Sequence, residues 1–187
     1  RRRRRRGRGR LPQLLERMPP QAPRSRETPT RAGGSAPVLD LGAGTGLLGQ
    51  ALADREVLPL DGTDISPQML AVAEDKQLYR RVFTGDLTAR LPVAEGSYHG
   101  VISAGTFTTG HVGPEALDEV LRVARPGAVI GITVNARHWQ TADFAAKFAA
   151  LSSQITGFGL QDVAIYGADA EGVHKDDMAK IALFHKL

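Results

Sequence analysis

The chain has 187 residues, 42% of them hydrophobic, and no cysteine, which suits one globular domain with a sizeable core and excludes disulfides, thiolate metal sites and a cysteine nucleophile. No apolar run approaches the ~20 residues of a membrane span and no signal peptide is visible, so the expectation is a cytoplasmic protein with no membrane partner. The formal net charge of +4 hides a split: residues 1–36 hold twelve Lys or Arg against two Asp or Glu, whereas residues 37–187 hold twelve against eighteen, a balance of −6.

The first 36 residues open "RRRRRRGRGR" and continue through a mixture of Pro, Gly, Ser and Arg. Such a composition buries too little apolar surface to order itself, so a disordered extension is expected, with only Leu11–Met18 able to form a short helix. An arginine run can also serve as an arm for nucleic acid. Nothing aromatic is interleaved with the charges, so nucleic-acid binding is expected to be weak at most and confined to this tail.

From residue 37 onward strands alternate with helices. "APVLDLG" is a buried strand, and "TGLLGQALAD" a helix with Leu47, Leu48, Ala51 and Leu52 on one face. "VLPLDGTD" is a second strand, followed by a helix capped by Ser66 with Pro67 at its first position. "YRRVFTGD" and "YHGVISAG" are the third and fourth strands. A helix entered at Pro114 presents Leu117, Val120, Leu121 and Ala124 and stops at Pro126 and Gly127. "AVIGITVN" is the fifth strand and "TADFAAKFAALSSQ" a further helix. "LQDVAIYG" and "MAKIALFHKL" close the chain with no helical pattern between them. The pattern predicts a doubly wound, Rossmann-like α/β domain over residues 37–187: a mostly parallel seven-stranded sheet ending in an antiparallel hairpin at one edge.

The glycines of "DLGAGTGLL" fall in the turn leaving the first strand, beside the point where strand order reverses and ligands bind. A ligand brought against that backbone would collide with any Cβ, so Gly42, Gly44 and Gly46 are expected to remove it, and the following helix offers free N–H groups. Asp64 ends the second strand 22 residues after Gly42, where a carboxylate can accept bonds from ribose hydroxyls. The third glycine comes one residue too early for a dinucleotide fingerprint. Together with the lack of a Tyr-x-x-x-Lys pair, this disfavours a nicotinamide-dependent oxidoreductase.

Through "VLDLGAGTG", "GTDISPQML", "FTGDL", "YHGVISAGTF" and "LRVARPGAVIGITV", residues 37–187 resemble the class I S-adenosylmethionine-dependent methyltransferases, in particular the small ubiquinone/menaquinone-biosynthesis-like group. The resemblance implies S-adenosyl-L-methionine as cofactor, lying along Gly42, Ala43, Gly44 and Gly46, with Asp40 orienting that turn and the cofactor's amino group. It implies that Asp64 takes the ribose hydroxyls with Ile65 beside the adenine. Asp86 would meet the adenine amino group and Leu87 add a backbone contact. Ser103, Ala104 and Gly105 would sit beneath the transferred methyl group. The alternative for Asp86 is a carboxylate capping its own loop.

A sulfonium is already a strong electrophile, so positioning carries such a reaction and no catalytic triad need be sought. His111, just after the fourth strand, could act as general base if its imidazole is neutral near pH 7, or could simply hydrogen-bond its own turn. His138 and Trp139, expected in the loop after the fifth strand, could line an acceptor pocket; Trp139 could as well be a packing plug. His99, His174 and His185 show no metal-ligand spacing, and no metal is expected.

Two features depart from the family pattern. Position 99 is His where the family usually has Asp, and the region where the family carries lid helices is here the arginine-rich tail. Without cysteine, cytosine-C5 methylation is excluded. "SAGTF" is neither the Asn/Asp/Ser-Pro-Pro-aromatic motif of amino-methylating nucleic-acid enzymes nor an acidic metal site of the catechol-type enzymes. A small-molecule acceptor is therefore expected, the alternative being a non-catalytic domain that keeps the fold or the cofactor site.

Overall fold

Val38–Leu41 (β1) is buried at all four positions, because it runs mid-sheet between Leu60–Asp64 (β2) and Tyr98–Phe107 (β4), parallel to both. The computed structural model describes residues 37–55, 59–165 and 177–187; the arginine-rich extension, Leu11–Met18 and His174 lie outside them. Arg81–Thr84 (β3) pairs with β2, and Ala124–Asn135 (β5) with β4, all parallel. Met178–Lys186 (β7) runs antiparallel between β5 and Ile155–Ala164 (β6). The order β3-β2-β1-β4-β5-β7-β6 confirms the expected seven-stranded, mostly parallel sheet with its antiparallel pair at one edge, and places the reversal of strand order between β1 and β4.

Alternation along the strands divides the apolar residues between two faces. Leu39, Leu41, Val101, Ile130 and Ile132 pack with Leu117, Val120 and Leu121 of Ala116–Val123 (α3). On the other face Val38, Leu60, Ile102 and Ile181 pack with Leu48 and Leu52 of Leu47–Ala53 (α1). Leu47, expected on that face, is exposed instead, because the left-handed Gly46 starts the helix in a phase that turns Leu47 outward. Pro67–Glu74 (α2) begins as the sequence implies, with the Ser66 hydroxyl accepting from the Met69 N–H at 3.3 Å. At the outer end of β2, the buried Asp61 carboxylate accepts from Arg80, Arg81 and the Tyr98 hydroxyl at 2.7–3.0 Å.

Several boundaries differ from the sequence reading. α3 ends at Val123, not at Pro126, because Ala124 is already extended and pairs with Tyr98. Of the helix expected over 141–154 only Phe144–Ala150 (α5) forms; a separate short helix, Ala136–Thr141 (α4), precedes it where a loop was expected, with Asp143 at φ 56° between the two. β6 starts at Ile155 rather than Leu160 and absorbs Gly157, at φ 65°, as an irregularity against β7. Pairing with a distant strand, not local propensity, decided that start. No helix among the described residues is long and apolar enough to cross a membrane.

The second helical pair closes the core with aromatic rings. Phe144, wholly buried, meets Phe107 edge-on at 6.1 Å and stacks on Trp139 at 5.7 Å. Phe144→Ala should therefore destabilise the protein by about 3–5 kcal/mol in urea unfolding. A loss below ~1 kcal/mol would mean that this cluster does not seal the core.

Candidate functional site

The backbone leaves β1 through three left-handed glycines at alternate positions, Gly42, Gly44 and Gly46, at φ 68°, 54° and 78°. Their missing side chains have different reasons. A Cβ on Gly42 would strike the Thr106 side chain, and one on Gly46 would stand 3.2 Å from both the Ala73 Cβ and the Tyr79 ring. At Gly44 the nearest atom would be the Met69 sulfur at 4.0 Å. A Cβ on Gly42 or Gly46 would thus meet this chain's own side chains, whereas the missing side chain of Gly44 is directed into open space; Gly42 and Gly44 both line that space. Ala43, buried, ties the turn to β2 by donating its N–H to the Thr63 carbonyl at 2.9 Å.

That open space is a cleft of about 690 Å3 at the carboxyl ends of the parallel strands. Asp64 stands at its edge and bridges two segments, Oδ2 accepting from the Gly44 N–H and Oδ1 from the Ser66 N–H, both at 2.9 Å. Ile65, 67% exposed, and Leu87 supply apolar surface in the same cleft. Asp86 also lines it, and its Oδ1 accepts from both the N–H and the hydroxyl of Thr88, at 2.8 and 2.6 Å. These bonds hold its carboxyl below the usual range. Thr63, which sequence reasoning passed over, also lines the cleft, with its buried hydroxyl lacking a partner among the described residues.

The end of β4 forms the opposite wall. Ala104, Gly105 and Thr106 line the cleft, and the Gly105 N–H donates to the Thr133 hydroxyl at 2.9 Å. Ser103 is placed differently from its expectation: it is wholly buried, and its hydroxyl donates to the Leu41 carbonyl at 2.8 Å instead of facing the cleft. The rim continues through Thr108, Gly110, His111 and Val112. His111 is exposed there, with its N–H donating to the Thr108 carbonyl at 3.1 Å.

His138 and Trp139 are not loop residues. Both are buried in α4. A ring nitrogen of His138, Nε2, lies 2.9 Å from the Val112 carbonyl, bracing the rim from behind, while Trp139 stacks between Phe144 and Phe148. Neither reaches the cleft, because β5 runs directly into α4 and the helix turns both side chains toward the core. Among the described residues, no group of three or more His, Asp or Glu could hold a metal.

Asp40 lies beneath the turn. By alternation it shares the Val38 face, and it is wholly buried, with Oδ2 accepting from the Tyr79 hydroxyl at 2.7 Å. Burial pushes its carboxyl from 3.8 up to about 7; the Tyr79 bond opposes this and the nearby Asp64 charge adds to it. Tyr79 was expected to open β3, but that strand begins two residues later, and no local pattern marked this residue.

Residues 38–127 match the family described as "Methyltransferase domain". Among curated proteins, the chain is 37% identical over 100 residues to human methyltransferase-like protein 27, covering 53% of this chain and 40% of that protein. It is 41% identical over 66 residues to the bovine 18S rRNA (guanine-N(7))-methyltransferase, covering 35% and 23%. Over 92 residues it is 40% identical to the demethylmenaquinone methyltransferase of Beutenbergia cavernae, covering 48% and 37%. The chain thus spans well under half the length of these relatives. Among solved structures it resembles the methyltransferase in complex with the Haloferax volcanii Trm112 methyltransferase activator, with TM-score 0.65, 19% identity and coverage of 92% and 86%. A TehB-like SAM-dependent methyltransferase from Corynebacterium glutamicum superposes with TM-score 0.59, 23% identity and coverage of 94% and 86%. The fold is that of the S-adenosylmethionine-dependent methyltransferases, and residues 38–127 carry the domain match.

Two outcomes follow from the turn. Gly42→Ala and Gly44→Ala both force a side chain into left-handed backbone, but only the first also collides with Thr106, so Gly42→Ala should lower Tm clearly more than Gly44→Ala in thermal denaturation. Equal losses would remove the distinction between them. The second outcome concerns pH. The Asp40 carboxyl is raised in the folded state, so the folded chain holds a proton that the unfolded chain releases, and stability falls as pH rises from about 4 to 7 and then levels. The Tm of the wild type should drop by several degrees between pH 5 and 8, and Asp40→Asn should flatten that slope; an unchanged slope would assign it to other groups.

Proposed function

We propose that the cleft binds S-adenosyl-L-methionine and that the chain transfers its methyl group to a small-molecule acceptor entering over the His111 rim. The observation carrying the cofactor reading is the pairing of Gly44, whose absent side chain leaves the cleft open, with Asp64, which bridges the turn and β2 at the cleft's edge. A carboxylate has about four lone-pair sites, so Asp64 can still accept from ribose hydroxyls after binding two N–H groups. Ile65 and Leu87 offer an apolar slot for the adenine. Both Thr88 bonds fall on Oδ1 of Asp86, so capping its own loop leaves Oδ2 for an adenine amino group.

When bound, the cofactor supplies an electrophilic methyl group on sulfur. The chain's part is to hold the acceptor in line behind Ala104, Gly105 and Thr106 and to exclude water. In this reading His111, exposed on the rim, accepts a proton from a protic acceptor. The small-molecule reading is supported by the charge of the site. Asp64 and Asp86 line the cleft and no Lys or Arg does so among the described residues, and residues 37–187 carry a balance of −6, which opposes a phosphate backbone. The similarity to demethylmenaquinone methyltransferase supports the narrower quinone-biosynthesis-like group. The similarity to an rRNA methyltransferase makes nucleic acid the competing acceptor.

Calorimetric titration of the full chain should show binding of S-adenosylmethionine and S-adenosylhomocysteine and none of NAD. Asp64→Ala should weaken that binding at least about tenfold, as loss of charged hydrogen bonds worth roughly 1.5–3 kcal/mol each requires. An effect below about twofold would place the ribose elsewhere. Labelled methyl groups should enter a small-molecule extract rather than rRNA; the reverse would overturn the acceptor reading, and cofactor binding with no transfer to either would favour a non-catalytic domain.

A further inference from the structure

Tyr79 sits in the stretch between α2 and β3, yet it touches three other segments. A Cβ on Gly46 would stand 3.2 Å from its ring, one on Gly62 would stand 3.0 Å away, and one on Gly49 would collide with the phenol itself. These glycines belong to the end of the turn, to β2 and to α1 respectively. The hydroxyl reaches a fourth segment, donating to Asp40 of β1 at 2.7 Å. One side chain is thereby set against both flanks of the Gly42–Gly46 turn.

Plain space-filling does not account for this arrangement. An apolar ring would fill the same hole but would deprive the buried Asp40 carboxylate of its one side-chain donor among the described residues. A buried carboxylate with so few donors is costly to retain. Here it stands two residues before Gly42, where any movement of β1 is passed directly to the turn.

We infer that Tyr79 is a positioning residue for the cofactor: its ring, wedged against α1 and β2, and its hydroxyl, holding Asp40, keep the turn in the conformation that presents Gly44 to the cleft. This deepens the cofactor reading and rests on it. Three groups face the Asp40 carboxyl: the Tyr79 hydroxyl, the Asp64 carboxylate at the end of β2, and the Gly49 N–H of α1. Asp64 repels a second negative charge, so the Tyr79 hydroxyl matters most once Asp40 is ionised, when its bond becomes charge-assisted.

The test uses the full chain, titrated calorimetrically with S-adenosylhomocysteine at pH 6 and pH 8, with folding followed by circular dichroism. Tyr79→Phe keeps the ring and removes only the hydroxyl. It should fold and bind about tenfold more weakly than wild type at pH 8, with the deficit shrinking to within about threefold at pH 6, because the lost bond is charge-assisted only above the Asp40 transition. Equal affinity at pH 8, or the same loss at both pH values, overturns the inference. Should Tyr79→Phe fail to fold, Asp40→Asn decides: it keeps an acceptor for the hydroxyl but not the charge, so its affinity relative to wild type should differ between pH 6 and pH 8. The same ratio to wild type at both pH values overturns the inference. A wild type that binds nothing at either pH removes the cofactor reading and this inference together, whereas binding unaffected in the variants removes only the role of Tyr79.

Discussion

The site depends on the parting of β1 from β4. Their pairing runs from Val38–Gly100 to Asp40–Ile102 and then stops, because β1 turns toward α1 on one face while β4 continues to Phe107 and leads to α3 on the other. The Leu41 carbonyl at this fork would be orphaned, and a buried unpaired carbonyl is expensive. The hydroxyls of Ser103 and Thr106 both donate to it, at 2.8 and 3.1 Å. Two β4 side chains thus hold the fork open without loss of hydrogen bonding, and the cleft is the space it leaves.

The turn is built under the same constraint. Gly42 must lack a side chain because Thr106, in bonding Leu41, occupies the place that side chain would take. Gly46 must lack one because α2 and Tyr79 press against it. With both ends pinned by packing, the middle of the turn has little freedom, and the Asp64 carboxylate removes more of it by fixing the Gly44 N–H. Preorganisation of this kind lowers the ordering cost of binding. A reaction whose electrophile comes ready-made asks the protein chiefly for such placement.

The electrostatics fit this division. Asp64 and Asp86 are accessible and use backbone or hydroxyl donors to hold their orientation, while Asp40 is buried and holds the scaffold. Asp61, at the other end of β2, shows the contrasting solution to burial. Burial raises its carboxyl, but hydrogen bonds from Arg80, Arg81 and Tyr98 together outweigh that and leave it below the usual range. Among the described residues Asp40 has no cation beside it and a like charge near, so its carboxyl moves the opposite way.

Much was legible in the amino-acid sequence because it was local. The period of the apolar residues, the Ser66 cap, the Pro67 start and the glycine spacing each express the backbone of a few consecutive residues, and together they determine a doubly wound α/β sheet with a ligand turn after its first strand. Asp64 and His111 could be expected at the cleft because strand ends in such a sheet share one edge, and the family resemblance added Ile65, Asp86, Leu87, Ala104 and Gly105. Only the tertiary structure decided which way side chains turn when distant segments compete for the same space. It sent Ser103 to Leu41, Trp139 into the aromatic core and His138 behind the rim, and it gave each glycine of the turn a different neighbour. It also made Tyr79 the wedge against that turn, through contacts with β1, β2 and α1 that no window of neighbouring residues contains.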